Sequence, residues 1–310
     1  MTSGAEREAL VAYAQATIEQ GSKSFRFASR LFDPATRERA WLLYAFCRAC
    51  DDLADGQSLG HDAEAVADPE RRLDRIRQQS ARALAGERCD DPPFDALRVV
   101  AAECQLPTRF VQDHISGFAR DCAGWRPETE DDLLSYCYQV AGAVGCLMAV
   151  IMGVSPQDDD TLDRASDLGL AFQLANIVRD LGDDHAMGRC YLPTAWLETA
   201  DLTPASYMDP DKRARLLPLA KRLCGKVQAY QASARVGAAR LPFRSRWAVL
   251  SAARIYGAIA LKVAERGPNA WDKRATVPKS EKLRHVLAAA WEAAVQTPSL
   301  DRSVLWTRPR

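Results

Sequence analysis

The sequence has no excess charge of either sign: 41 Lys+Arg stand against 41 Asp+Glu in 310 residues. That balance excludes a protein held to nucleic acid by bulk positive charge. No run of 18 or more apolar residues occurs, so no segment reads as a simple membrane-spanning helix. The first residues, MTSGAEREALVAYAQ, carry two glutamates and no apolar core of signal-peptide type, and a cytoplasmic protein is expected. Alternating strand patterns bounded by turn signals are missing, as is a glycine-rich nucleotide fingerprint after a strand. Charge blocks and fixed-period repeats are also missing. Cysteine occurs nine times, an odd number. Cys47 and Cys50 form one C-x-x-C with no second pair and no spaced His pair, so neither a disulfide framework nor a zinc site is expected. Cys137, Cys146 and Cys224 lie in apolar stretches and read as small core residues.

What is present is helix. Helical periodicity covers 5–20, 36–53, 69–86, 92–105, 107–121, 130–153, 160–184, 209–238, 243–266 and 279–296. Breaks fall at Asp33-Pro34, Pro92-Pro93, Pro107, Ser155-Pro156, Pro193, Pro242 and Pro268. The expectation is one all-α domain over 1–310, with some ten helices around a shared core and a tail at 297–310. The polar stretch 55–68 reads as a loop beside an acidic cluster, able to move over a site. The most apolar stretch, 140–154, spans only ~22 Å as a helix and reads as buried. Its glycines at 142, 145 and 153 are costly in a helix and suggest that something bulky lies against it.

Two stripes carry the chemistry. Tyr44, Arg48, Asp51 and Asp55 fall on one face of a helix, and Gln173, Asn176, Asp180 and Asp184 fall on one face of another. Each stripe ends in an i, i+4 aspartate pair. Two like charges ~5 Å apart repel by ~3 kcal/mol at an effective dielectric of 20. Facing stripes would therefore need protons or cations. Oxygen donors with an amide suit several Mg²⁺ or Mn²⁺ ions, which complete their shells with water and phosphate oxygens. A diphosphate bridged to both pairs is the natural ligand, with Arg48, Arg179 and Arg189 close in sequence to bind its remaining oxygens.

At these residues the chain resembles the squalene/phytoene synthase family of head-to-head prenyl synthases. The resembling segments are GSKSFRFASRLFDPATR (21–37), YAFCRACDDLAD (44–55), LSYCYQVAGAVGCLMAVIMGV (134–154), LGLAFQLANIVRDLGDDHAMGRCYLP (168–193) and 252–282. The resemblance implies a class I isoprenoid synthase-like helical bundle around a central cavity. It implies that Asp51, Asp55, Asn176, Asp180 and Asp184 hold the metal ions. Arg48, Arg179 and Gln173 would contact phosphate or order the ligands, with Tyr44, Arg189 and Tyr191 also at the substrate. Ser22, Ser24 and Phe25 would form part of a flexible lid and pocket wall. Tyr136 and Tyr256 would face the reacting prenyl carbons, and Arg274 the phosphates. The glycine-bearing helix would line the hydrocarbon channel. The implied reaction joins two geranylgeranyl diphosphates without NADPH. Squalene or hydroxysqualene synthesis from farnesyl diphosphate is the nearest alternative, and a non-catalytic helical lipid-binding protein a more distant one. Peripheral membrane contact is expected through the basic helix 211–226 or the tail with Arg302, Trp306, Arg308 and Arg310.

Overall fold

The computed structural model describes residues 3–55, 68–297 and 299–310, without the side chains of Lys23, Ser24 and Asp55. Expectations placed on those side chains, and on the loop within 55–68, fall outside the described residues. Helices follow one another as α1 (Gly4–Gly21), α2 (Lys23–Ser29), α3 (Pro34–Asp55), α4 (Pro69–Leu84), α5 (Pro92–Cys104), α6 (Thr108–Cys122) and α7 (Glu130–Cys137). A π-helical turn (Tyr138–Gly142) leads into α8 (Ala143–Ile151), then α9 (Asp159–Ala186), α10 (Thr194–Thr199), α11 (Arg213–Ala238), α12 (Phe243–Arg266) and α13 (Lys279–Ala294). No strand occurs among the described residues.

Local chemistry sets several starts. Ser3, Asp68 and Asp158 accept hydrogen bonds from backbone N–H groups three residues on, and Thr129 with Asp132 closes a capping box before α7. Proline opens α4 and α5, where its missing N–H costs nothing. The short helices α2 and α10 were not separated by periodicity, because fewer than three turns carry too little pattern. One buried apolar cluster extends from Leu10 to Val277. Helix α9 sits at its centre, packed by α8, α11 and α12.

The glycines of the apolar stretch have a different cause from the one expected. A Cβ on Gly145 would lie 2.4 Å from the Ala165 carbonyl oxygen, and one on Gly142 would lie 2.8 Å from side-chain atoms of Leu170 and Ser166. They let α8 meet α9, backbone against backbone. Gly153 takes φ +96° just beyond α8, a region that favours glycine. The stretches Glu130–Ile151 and Phe243–Asn269 are long and apolar enough on average to cross a bilayer, although neither holds an unbroken run of 18 apolar residues. Their most apolar windows are 61% and 50% buried inside the fold, so that hydropathy serves the core.

The two surfaces expected to meet lipid are occupied by other partners. In α11, Arg213 pairs with Asp272, and Arg222 and Lys226 both pair with Glu130. The C-terminal residues are a strap laid on the first turns of α9. Arg302 binds Asp163 and Asp167, Arg308 binds Asp159 and Asp163, and Arg310 binds the same two aspartates as Arg308. The Arg308 side chain is 0% exposed. Trp306 packs on Tyr138 of the π turn, ring centroids 5.8 Å apart.

His114 of α6 is buried between Phe46 and Phe118, with Nδ1 3.3 Å from the Gln139 carbonyl and Nε2 unpartnered. Burial pushes its imidazole down to about 4. An unfolded histidine titrates near ~6.5. Between those values only the unfolded chain takes up the proton, so this contribution to stability is full above ~6.5 and is lost as pH falls towards ~4, amounting to about 2 kcal/mol between pH 7 and pH 5. His114→Gln should therefore lose less melting temperature than the parent on going from pH 7 to pH 5, by roughly 3 °C. Parallel pH curves for the two proteins would place the acid sensitivity elsewhere.

Candidate active site

Helices α3 and α9 bring their polar stripes to one cavity of about 360 Å³. Leu42 and Phe46 of α3 turn into the core, while Leu43, Tyr44, Cys47 and Asp51 present the face that lines the cavity. Tyr44 and Asp51 line the cavity from α3, and Gln173 and Asn176 line it from α9. Ser22 and Phe25 join them: the Ser22 hydroxyl caps α2 by accepting from the Phe25 N–H at 3.2 Å. Phe25 lies 5.4 Å from the Tyr44 ring. Tyr256 of α12 completes this end, stacked on Phe172 at 4.2 Å. Asp51 lines the cavity while its side chain is 43% exposed, so it marks the mouth. Behind it the walls are apolar, with Val140, Val144, Met148, Leu168 and Ile255 among them.

The other charged groups of the two stripes form two clusters, and Arg48, Arg179, Asp180, Asp184 and Arg274 are not among the residues that line the cavity itself. Arg48 donates to Asp52 at 2.7 Å and stands 3.8 Å from Asp51. Asp52 is a part of the site that the stripe analysis left aside; its i, i+4 spacing from Arg48 was the available signal. On α9, Asp180 accepts from Arg179 Nε at 2.7 Å and from Arg274 through two bonds of 2.9 Å. Burial alone would raise the Asp180 carboxyl, but the two guanidinium groups outweigh it and hold it below the usual range. Asp184 goes the other way. Burial, then the nearby Asp180 charge, push it up to about 7 despite Arg189 and Arg179. Tyr44 is pushed up to about 12 by burial, in the fields of Arg48, Asp51 and Tyr256, and Tyr256 in turn lies in the fields of Arg179 and Asp180. The two clusters therefore converge through this tyrosine pair.

Tyr136 does not line the cavity, contrary to expectation. It is buried between Trp125 and Tyr191 in a stack with centroids 5.5 and 5.1 Å apart. Its hydroxyl donates to Asp121 at 3.0 Å, and that of Tyr191 donates to Asp121 at 3.3 Å. Tyr191 feels the charges of Arg189 and Asp184, so the stack backs the acidic cluster. Asp121, which holds both hydroxyls, was not legible in the sequence, since nothing in its own helix marks it. The flexible lid expected around Ser22 takes the form of a capped helix wall.

The donor set is all oxygen: carboxylates of Asp51, Asp180 and Asp184 and the amide of Asn176. Among the described residues no three His, Cys, Asp or Glu side chains already form a cation cage. An all-oxygen donor set suits Mg²⁺, which keeps several waters and uses phosphate oxygens. Burial first, and the Asp180 charge second, raise the Asp184 carboxyl, and a bound cation would favour its charged form.

The sequence profile of the squalene/phytoene synthase family matches residues 18–281. The chain belongs to that family. A 15-cis-phytoene synthase of Pantoea ananas is 44% identical over 97% of this chain and 98% of its own length. A 15-cis-phytoene synthase of a Paracoccus strain is 44% identical over 97% and 98%. Among solved structures, a dehydrosqualene synthase in complex with a ligand superposes with a TM-score of 0.82 at 27% identity, covering 92% of this chain and 96% of that one. A squalene synthase of Alicyclobacillus acidocaldarius gives 0.74 at 26% identity, covering 86% and 97%. The all-α fold of those enzymes is the fold of this chain, and the family makes it a prenyl-transferring enzyme.

Proposed function

We propose that this protein acts as a phytoene synthase, joining two geranylgeranyl diphosphates head to head with release of two diphosphates. The observation that carries the reading is that Asp51 and Asn176, from two separate acid-bearing helices, meet at the mouth of one apolar cavity. The 44%-identical relatives favour phytoene over the squalene alternative. Ala28 in the cavity wall and the buried Ser29 behind it are small, which favours a longer chain.

Asp51, Asn176, Asp180 and Asp184, with Asp55, would hold Mg²⁺ or Mn²⁺. Bound there, such ions neutralise diphosphate and ease its departure. Arg48, Arg179 and Arg274 offer guanidinium N–H groups to its remaining oxygens. The first C1–O bond breaks and leaves an allylic cation. The double bond of the second substrate attacks that C1, and proton loss closes a cyclopropyl diphosphate. Loss of the second diphosphate, rearrangement to a 1–1′ bond and a further proton loss give phytoene. No electrons enter, so no NADPH is needed, whereas squalene would require a hydride. The faces of Phe25, Tyr44, Phe172 and Tyr256 attract the cation, and the apolar walls keep water from it.

The test is mass analysis of organic-phase products from geranylgeranyl diphosphate with Mg²⁺ and no NADPH. A C40 triene-centred hydrocarbon is expected, lost on chelation of the metal. Product only from farnesyl diphosphate would shift the reading to the squalene branch, and ligand binding without turnover would leave a lipid carrier.

A C40 hydrocarbon must leave for lipid, which makes this a cytosolic enzyme touching a membrane peripherally. With α11 and the tail paired internally, α13 is the better candidate surface. Leu283, Leu287 and Trp291 share one stripe, Trp291 is 74% exposed, and Lys279 and Arg284 are exposed beside them. Flotation with anionic liposomes should carry the protein, and Trp291→Glu should weaken that several-fold; equal flotation of both would remove α13 from the contact.

A further inference from the structure

We infer that Arg164 is the stop at the closed end of the prenyl channel, and that the C-terminal strap holds it in place. The inference rests on the prenyl reading of the cavity. Helix α9 runs along the cavity from Asn176 at the mouth to Arg164 and Thr161 at the other end, roughly 22 Å away along its axis. There the Arg164 stem lies over Gly237 of α11, where a Cβ would sit 2.7 Å from the Arg164 Cβ. Its guanidinium is held from three segments. It donates to Asp160 at 3.1 Å, to the Ser233 hydroxyl at 3.3 Å, and to the Leu300 carbonyl of the strap at 3.1 Å.

A second layer fixes those partners. Arg240 donates to the Thr161 hydroxyl at 2.6 Å and also binds Asp160. Ser233 donates to Asp167 at 2.5 Å, and Arg302 of the strap grips Asp167 through bonds of 3.1 and 3.0 Å. An apolar floor would yield to a longer chain by changing rotamers. Arg164 cannot move without its own mostly buried guanidinium giving up three hydrogen bonds, a far stiffer constraint. Chain length is thus limited by two parts of the molecule that touch no diphosphate.

The test compares C20 and C25 allylic diphosphates as substrates. Arg164→Ala removes the stem yet leaves Asp160 paired with Arg240 and Ser233 with Asp167. Its kcat/KM ratio for C25 over C20 should rise by roughly tenfold or more, because each extra methylene accommodated shifts discrimination strongly. Arg164→Lys, which keeps length and charge, should stay near the parent ratio. Arg302→Gln should move the ratio in the same direction as Arg164→Ala through the strap. Should the alanine variant fail to fold, Arg164→Leu carries the same expectation in smaller measure. A folded Arg164 variant that loses rate on both substrates equally, with the ratio unchanged, overturns the inference. An unchanged ratio in Arg302→Gln overturns the role of the strap. Absence of turnover of C15, C20 and C25 allylic diphosphates alike in the parent would instead overturn the prenyl reading itself.

Discussion

Replacing Asp51 by asparagine is expected to lower turnover of geranylgeranyl diphosphate by roughly 10³-fold, with the melting temperature close to that of the parent. The side chain keeps its size and an oxygen, and loses only the charge that faces the leaving group. Its neighbour Arg48 keeps Asp52 as partner at 2.7 Å, so no buried cation is stranded. Asp180→Asn should cost as much activity but also some stability. Asp180 is the carboxylate that both Arg179 and Arg274 bind. Arg274, at 56% exposure, can turn to water, whereas Arg179 is mostly buried and cannot. A loss of about 2 kcal/mol is expected from that stranded guanidinium. The measurement is single-turnover product formation beside a thermal melt for each variant. Full activity in Asp51→Asn would remove the mouth of the cavity from the chemistry.

Gly145→Ala should destabilise the protein by about 2–3 kcal/mol, which lowers the melting temperature by roughly 3–5 °C. On an isolated helix the same change would help by ~1 kcal/mol. The sign reverses because the new methyl would press on the Ala165 carbonyl at 2.4 Å, and a backbone cannot swing aside as a side chain can. α8 and α9 must separate. Since α9 also carries Gln173, Asn176 and Asp180, turnover should fall with stability. Gly225→Ala is the matched control. Gly225 lies in α11 with nothing within 4 Å of a built Cβ, so this change should raise the melting temperature slightly. Two effects of the same sign would show that helix propensity, and not the α8–α9 approach, governs both sites.

The glycines illustrate where sequence reasoning stops. That they were out of place in an apolar helix was legible, because propensity is a local property. What they make room for was not, because close approach belongs to a pair of helices. Tyr136 gives the same lesson. Its motif marked it as a site residue, but Asp121 draws its hydroxyl away from the cavity. The π turn at Tyr138–Gly142 inserts a wider step in a run that reads as continuous helix. The tail read as a basic segment open to lipid; three aspartates on one face of α9 make it part of the fold. Those aspartates are i, i+4, i+8 in sequence, and nothing local says which cations they will meet.

By itself the sequence determined the helical class, most helix limits and the two polar stripes, because a period of 3.6 residues and turn chemistry are written in nearest neighbours. It also showed that two such aspartate pairs, if they faced each other, would need protons or cations. Only the tertiary structure decided that Tyr44 and Asp51 of α3 and Gln173 and Asn176 of α9 line one hollow, that Arg179 and Arg274 take Asp180, and that Arg164 is tied to α11 and to the C-terminal strap. Those depend on which faces meet across the chain, and such meetings are settled by packing the whole core at once.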